Sequence, residues 1–191
     1  MRIIAGLAKG RTLSTVAGAT RPTSDRAREG LFSSLLSEYG DFLGVNFLDL
    51  FAGSGAIGLE ALSRGASVVH AVEKNESACK TISVNSDLVL NSKVSGSFHL
   101  YAMSAQRFLE NPAPTKYDIV YVDPPYDFSD VELYKCLVAL RAGEFLKEDA
   151  IVAVEKASKS TALKWPSGYT ALRERNYGQA LIYYGKVAKN G

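Results

Sequence analysis

A chain of 191 residues, 47% hydrophobic and 22% charged, has the material for one ordinary globular core, which argues against wholesale disorder. Two cysteines, Cys79 and Cys136, and two histidines, His70 and His99, are too few for a disulfide framework or a His/Cys metal cluster, so no metal is expected. Net charge is +2, yet within residues 1–30 six basic side chains (Arg2, Lys9, Arg11, Arg21, Arg26, Arg28) meet only Asp25 and Glu29, so a basic arm adjoins a slightly acidic body. Such an arm suits a polyanionic partner, the alternative being a solvated basic hairpin. No apolar run approaches the roughly 18–20 residues of a membrane span. The opening Met1-Arg2-Ile3-Ile4-Ala5-Gly6 lacks the apolar core of a secretory signal, and a cytoplasmic protein is expected.

In chain order, residues 2–5 and 11–13 read as two short strands joined by a turn at Gly6, Lys9 and Gly10. A small-residue loop over 15–20 leads to Thr23 or Ser24, either of which can cap a helix. Its apolar face is Leu31, Phe32, Leu35 and Leu36, and it ends near Gly40. Arg26 and Arg28 fall in its first turn, where the macrodipole favours acids by a few tenths of a kcal/mol; arginines placed there suit a ligand, the alternative being an exposed ion pair with Asp25 or Glu29. From residue 45 the pattern changes. Apolar strands at 45–50, 67–72, 97–101, 117–122 and 150–155 alternate with helices at 55–63, 77–88, 104–109 and 131–140. That rhythm predicts an α/β, doubly wound, mostly parallel sheet covered on both faces. Strand-like runs at 169–177 and 180–186 flank Gly178-Gln179 and add an antiparallel hairpin, for seven strands in all. Residues 1–40 read as a basic hairpin-and-helix appendage and 41–191 as the core.

Gly53-Ser54-Gly55-Ala56-Ile57-Gly58 lies between a strand and a helix in the GxGxxG pattern, and Glu73 ends the next strand about 20 residues on, where a ribose-binding acid belongs. Alone this favours a dinucleotide. Asp49 and Asp123, however, stand at the ends of the first and fourth strands, which flank the switch point of a doubly wound sheet. A pyrophosphate there meets two negative charges, at a cost on the order of several kcal/mol, whereas a cationic ligand is welcomed. S-adenosylmethionine, with its ammonium, sulfonium and free ribose hydroxyls, fits.

Asp123-Pro124-Pro125-Tyr126 follows the apolar strand 117–122. A carboxylate and the Pro124 carbonyl can accept both hydrogens of an amine and localise its lone pair, which suits adenine N6 or cytosine N4 in DNA, guanine N2 in RNA, or a glutamine side-chain amide. Two prolines stiffen the loop, and Tyr126 offers a stacking surface for an unpaired or flipped base.

These stretches resemble a known family. Residues 47–55, Phe-Leu-Asp-Leu-Phe-Ala-Gly-Ser-Gly, are similar to the first motif of class I methyltransferases, and Asp123-Pro124-Pro125-Tyr126 to their amino-methylating fourth motif. Arg2-Ile3-Ile4-Ala5-Gly6, Lys9-Gly10-Arg11, Arg21-Pro22-Thr23-Ser24-Asp25-Arg26, Arg28-Glu29, Leu31-Phe32 and Tyr177-Gly178 resemble bacterial 16S rRNA (guanine-N2) methyltransferases of the RsmD type, essentially end to end. The resemblance implies a Rossmann-like core and cofactor contacts from Asp49, Phe51, Gly53, Ser54, Gly55, Glu73, Lys74, Ala102, Met103 and Asp123. In that scheme Glu73 holds the ribose, Ala102 and Met103 lie against adenine, and Arg21 and Thr23 close over the cofactor. It implies catalysis by Asp123, Pro124, Pro125 and Tyr126, and phosphate contacts from Arg2, Lys9, Arg11, Arg21, Arg26 and Arg28. The substrate implied is one guanine of 16S rRNA in a small subunit or assembly intermediate, acted on by a monomer with no membrane partner. Two departures stand out: Ala5 replaces a second glycine, and Ala102-Met103-Ser104 lacks the aspartate common in the third motif. The alternatives are a DNA adenine-N6 methyltransferase, and a non-catalytic rRNA-binding assembly factor on the same fold.

Overall fold

Apolar strands alternating with helices condense into a single sheet in the computed structural model, which describes residues 1–16 and 25–188. The elements are α1 (Asp25–Tyr39), β1 (Asn46–Asp49), α2 (Ala56–Ser63), β2 (Val68–Glu73), α3 (Glu76–Leu90), β3 (Ser97–Ala102), α4 (Ala105–Leu109), β4 (Tyr117–Val122), α5 (Asp130–Ala142), β5 (Leu146–Ala157), β6 (Tyr169–Tyr177) and β7 (Ala180–Val187). Their order across the sheet is β3-β2-β1-β4-β5-β7-β6. Strands β1 to β5 pair in parallel, and β7 runs antiparallel to both β5 and β6. The switch in winding falls between β1 and β4, so the loops at their carboxyl ends open a crevice.

Alternation of side chains sorts the strands between two cores. On one face Phe47, Tyr121, Ile151, Ala153, Ile182 and Tyr184 pack with residues of α1, α2 and α3; on the other, Leu48, Val120, Val122, Val152, Val154 and Tyr183 pack with residues of α4 and α5. Each fully buried aromatic, such as Phe32 stacked on Phe47 at 6.5 Å, contributes roughly 1.5–3 kcal/mol.

Ile3, Ala8 and Leu13 belong to the same cluster as Phe47, so the expected appendage shares its core with the sheet. The buried Glu60 of α2 accepts the amides of Ile4 (2.7 Å) and Ala5 (3.0 Å) and the Arg64 Nε (2.7 Å). Ser63 Oγ accepts the Ala8 amide and donates to the Ala5 carbonyl. Asn85 of α3 bonds the Ser14 amide and carbonyl and also the Ser54 carbonyl, so the N-terminal segment leaves alongside the glycine loop.

The expected strand pair over 2–13 is reduced to one bridge, Arg2 with Thr12, plus flanking backbone bonds, because its amides are spent on α2. Strand β5 starts at Leu146 and not at 150: Leu146 pairs with Tyr117, then the register jumps so that Ile151 meets Ile119, with Asp149 at φ 63° in the displaced stretch. Lys147-Glu148-Asp149 breaks the apolar pattern, which hides this start from a sequence reading. Thr23, Ser24 and Arg21 lie outside the described residues.

Candidate active site

The glycine loop is built by three local demands. Gly53 and Gly55 have φ of 56° and 77°, the left-handed region that glycine enters without a steric cost. A Cβ on Gly53 meets no protein atom within 4 Å, so its backbone is open to a ligand. At Gly58, in the first turn of α2, a Cβ would fall 3.0 Å from Val69 and 3.3 Å from Asp49 Oδ2, tighter than ordinary contact, so glycine there lets the helix sit close on the sheet. Glu73 ties the loop to β2, its Oε2 accepting the Gly53 amide (2.9 Å) and its Oε1 the Asn75 amide (2.8 Å). Each oxygen keeps a lone pair for a further donor such as a hydroxyl.

Opposite, β4 spills into Asp123-Pro124-Pro125-Tyr126. The Phe128 amide donates to the Pro125 carbonyl (2.9 Å), and Ser129 caps α5 in a reciprocal box with Glu132, so the loop is anchored at both ends. The Phe128 ring meets Phe51 edge-on at 5.1 Å and joins the two loops across the crevice. Tyr126 stands at the lip, 67% exposed, its ring presented to the cleft.

One cleft of about 860 Å³ unites these parts. Of the sequence-predicted residues it is lined by Phe51, Gly53, Glu73, Lys74, Met103, Asp123, Pro124, Pro125 and Tyr126. Four others do not line it. Ser54 and Gly55 turn behind the loop, Gly55 as the N-cap of α2 against Ile82, and Ala102 ends β3 with Met103 taking the lining place. Asp49 is 1% exposed and accepts the Gly58 amide at 2.9 Å, so it supports the loop from beneath instead of facing a ligand. Burial lifts its carboxyl to about 7, the Gly58 amide opposing and Glu73 reinforcing the rise. A pyrophosphate would instead meet the carboxylates that do line the cleft, Glu73, Asp123, Asp127, Asp130 and Glu155, against Lys74 and Lys156. Lys156 is itself bonded to Asp130 at 2.6 Å. Ser104, at the adenine end of the resemblance, caps α4 by accepting the Arg107 amide.

In the arm, Arg2, Lys9, Arg11 and Arg26 are exposed, with Arg11 Nε donating to Ser92 Oγ at 3.3 Å. Arg28 departs from expectation. Its side chain is fully buried, with Nη2 donating to the Arg2 carbonyl (2.8 Å) and to Asp25 (2.6 Å). A phosphate cannot reach a guanidinium with no exposed surface; Arg28 instead ties the start of α1 to the first residues of the chain.

Val72, Asn75, Gln106, Asp127, Phe128, Asp130, Leu133, Glu155, Lys156, Ser160 and Thr161 also stand in the cleft wall, with no motif in the sequence to mark them. Position after a strand's carboxyl end marks Asn75, Gln106 and Phe128. Only strand order brings Glu155 to Lys156 and Ser160 to Thr161 beside them. Among the described residues no group of three or more His, Cys, Asp or Glu could hold a metal ion, and no helix is long and apolar enough to cross a membrane.

A family model described as "Conserved hypothetical protein 95" matches residues 1–186. The chain is 34% identical to Haemophilus influenzae "Ribosomal RNA small subunit methyltransferase D", over 93% of this chain and 89% of that one. It is 33% identical to the Escherichia coli K12 protein of the same name, over 94% and 86%. The solved structure of yhhF from Escherichia coli superposes with a TM-score of 0.83 at 29% identity, covering 100% of this chain and 99% of that one.

Proposed function

Because the chain belongs to the conserved hypothetical protein 95 family, we propose that it methylates the exocyclic N2 of one guanine in 16S rRNA of the small ribosomal subunit, with S-adenosylmethionine as donor. One observation carries this: the glycine loop with Glu73 and the Asp123-Pro124-Pro125-Tyr126 loop face each other across a single acid-lined cleft. The relatives named for small-subunit rRNA, matched over nearly the whole chain, support rRNA as the acceptor.

The residues fit the cofactor. The open Gly53 backbone admits its methionine part, the remaining lone pairs of Glu73 suit ribose hydroxyls, and Phe51, Val72 and Met103 supply apolar surface for adenine. The acidic lining favours a cationic donor. When bound, the cofactor would supply a methyl group activated by its sulfonium, the S–C bond being exchanged for an N2–C bond with sulfur released as the thioether of S-adenosylhomocysteine and one N2 proton passing to water.

The chain's own residues do the rest. Asp123 accepts one N2–H and the Pro124 carbonyl the other, which localises the nitrogen lone pair toward the donor. Stiffness of the two prolines holds these acceptors in line, so orientation supplies much of the rate. Tyr126, exposed at the lip, stacks on the extruded base. As the nitrogen becomes cationic, the Asp123 carboxylate stabilises it until the proton departs. Exposed Arg2, Lys9, Arg11 and Arg26, joined by Arg21, track rRNA phosphates.

The test offers methyl-labelled cofactor in parallel to small subunits lacking the modification, to naked rRNA and to duplex DNA, followed by nucleoside identification. N2-methylguanine in small-subunit rRNA is expected; N6-methyladenine in DNA overturns the reading, and so does the absence of transfer to any of the three.

A further inference from the structure

Glu155 lines the cleft, yet nothing in the reaction above uses it. It is only 7% exposed, and its backbone is fixed within the sheet by pairing with Ile182 of β7. The register of β4 on β5 pairs Tyr121 with Ala153 and Val122 with Val154, so the next residues out, Asp123 and Glu155, are level with each other. Period-two alternation sends Tyr121 of β4 and Ala153 and Glu155 of β5 toward one face of the sheet, and Asp123 follows directly on the end of β4. Two residues before Asp123, the buried Tyr121 hydroxyl donates to Glu155 Oε2 at 2.5 Å. Burial, and then the carboxylates of Asp123 and Glu155, hold that phenol well above its ordinary range, so it stays protonated and fixes the direction of the Glu155 carboxylate.

Two carboxylates level with each other at the wall of the cleft can accept from two adjacent donors. The guanine edge that carries N2 presents N1–H next to N2–H₂. Adenine N6 and cytosine N4 each sit beside a bare ring nitrogen, which is an acceptor. We propose that Glu155 selects guanine, its carboxylate accepting N1–H while Asp123 accepts an N2–H. A bare ring nitrogen facing Glu155 sets acceptor against acceptor, the arrangement that yields strong discrimination. Tyr121 acts behind it as a positioning residue. The inference rests on the guanine-N2 reading.

The experiment uses small subunits reconstituted with rRNA carrying either guanine or 2-aminopurine at the mapped acceptor position. 2-Aminopurine keeps the 2-amine but has no hydrogen on N1; it also lacks O6, so the informative quantity is the change in the kcat/KM ratio on substitution. Wild-type protein is expected to favour guanine by at least about 100-fold. Glu155→Gln, whose amide can donate to the bare N1, brings that ratio to within about tenfold. Tyr121→Phe, which frees the carboxylate to rotate, gives an intermediate ratio; a purely structural role lowers both rates together and leaves the ratio in place. Equal ratios for wild type and Glu155→Gln overturn the inference while the guanine reading stands. Should Glu155→Gln fold poorly, a wild-type ratio below about tenfold, or an unmoved ratio in Tyr121→Phe, overturns it equally. If wild-type protein forms no N2-methylguanine at all, the underlying reading fails and this inference with it.

Discussion

Replacing Glu60 by glutamine tests how the N-terminal segment is held. Glu60 is fully buried, and its two oxygens take three donors: the Ile4 amide, the Ala5 amide and the Arg64 Nε. A carboxamide keeps one oxygen and turns its NH₂ on at least one of those donors, so donor faces donor in either orientation. Hydrogen bonds to a charged group contribute about 1.5–3 kcal/mol each. Arg64, mostly buried with its guanidinium 4.6 Å from the Phe32 ring centroid, also loses its counter-charge. The expected loss is about 3–4 kcal/mol, or a fall in Tm of about 6–15 °C for a chain of this size. Urea unfolding should show a lower midpoint at an unchanged slope, and the Ile4 and Ala5 amides should exchange with solvent faster than in wild type. A loss below about 1 kcal/mol with both amides still protected refutes the reasoning, because Glu60 would then not be what holds residues 1–13 to α2.

Three further outcomes follow from the geometry. Gly30→Ala places a Cβ 2.1 Å from the Tyr177 ring, so that ring must shift off α1 at a cost of about 1–3 kcal/mol; an unchanged melting temperature contradicts the close approach. The Asp49 carboxyl, raised by burial to about 7, is protonated in the fold at pH values where the unfolded chain has already lost that proton. The stability this contributes is complete below about pH 4 and lost as pH rises through 7. Melting curves between pH 5 and 8 should therefore decline in wild type more than in Asp49→Asn, and parallel declines would remove the assignment. Arg11→Ala combined with Arg26→Ala should flatten the salt dependence of rRNA binding by about 1.5 in log–log slope, whereas Arg28→Lys should act on stability and leave that slope alone.

The order and kind of the elements are written locally in the chain, because hydrophobic periodicity is a property of neighbouring residues. Strand β4 spans residues 117–122, as its apolar run predicts, and the reversed C-terminal hairpin follows from Gly178 between two strand-like runs. The two loops of the candidate site were legible for the same reason: glycines that need a left-handed backbone, and a carboxylate before two prolines, carry their meaning in adjacent residues. Depth and neighbourhood across the sheet belong to the tertiary structure alone. Asp49 and Asp123 both end strands, yet Asp49 is sealed beneath α2 by the close approach that Gly58 permits, and Asp123 opens on the cleft. Arg28 sits among exposed arginines in the sequence but is folded inward onto Asp25 and the Arg2 carbonyl. Glu155, the last residue of an otherwise apolar run, comes level with Asp123 because the parallel register of β4 on β5 ends with Val122 opposite Val154, residues 32 positions apart that no local pattern brings together.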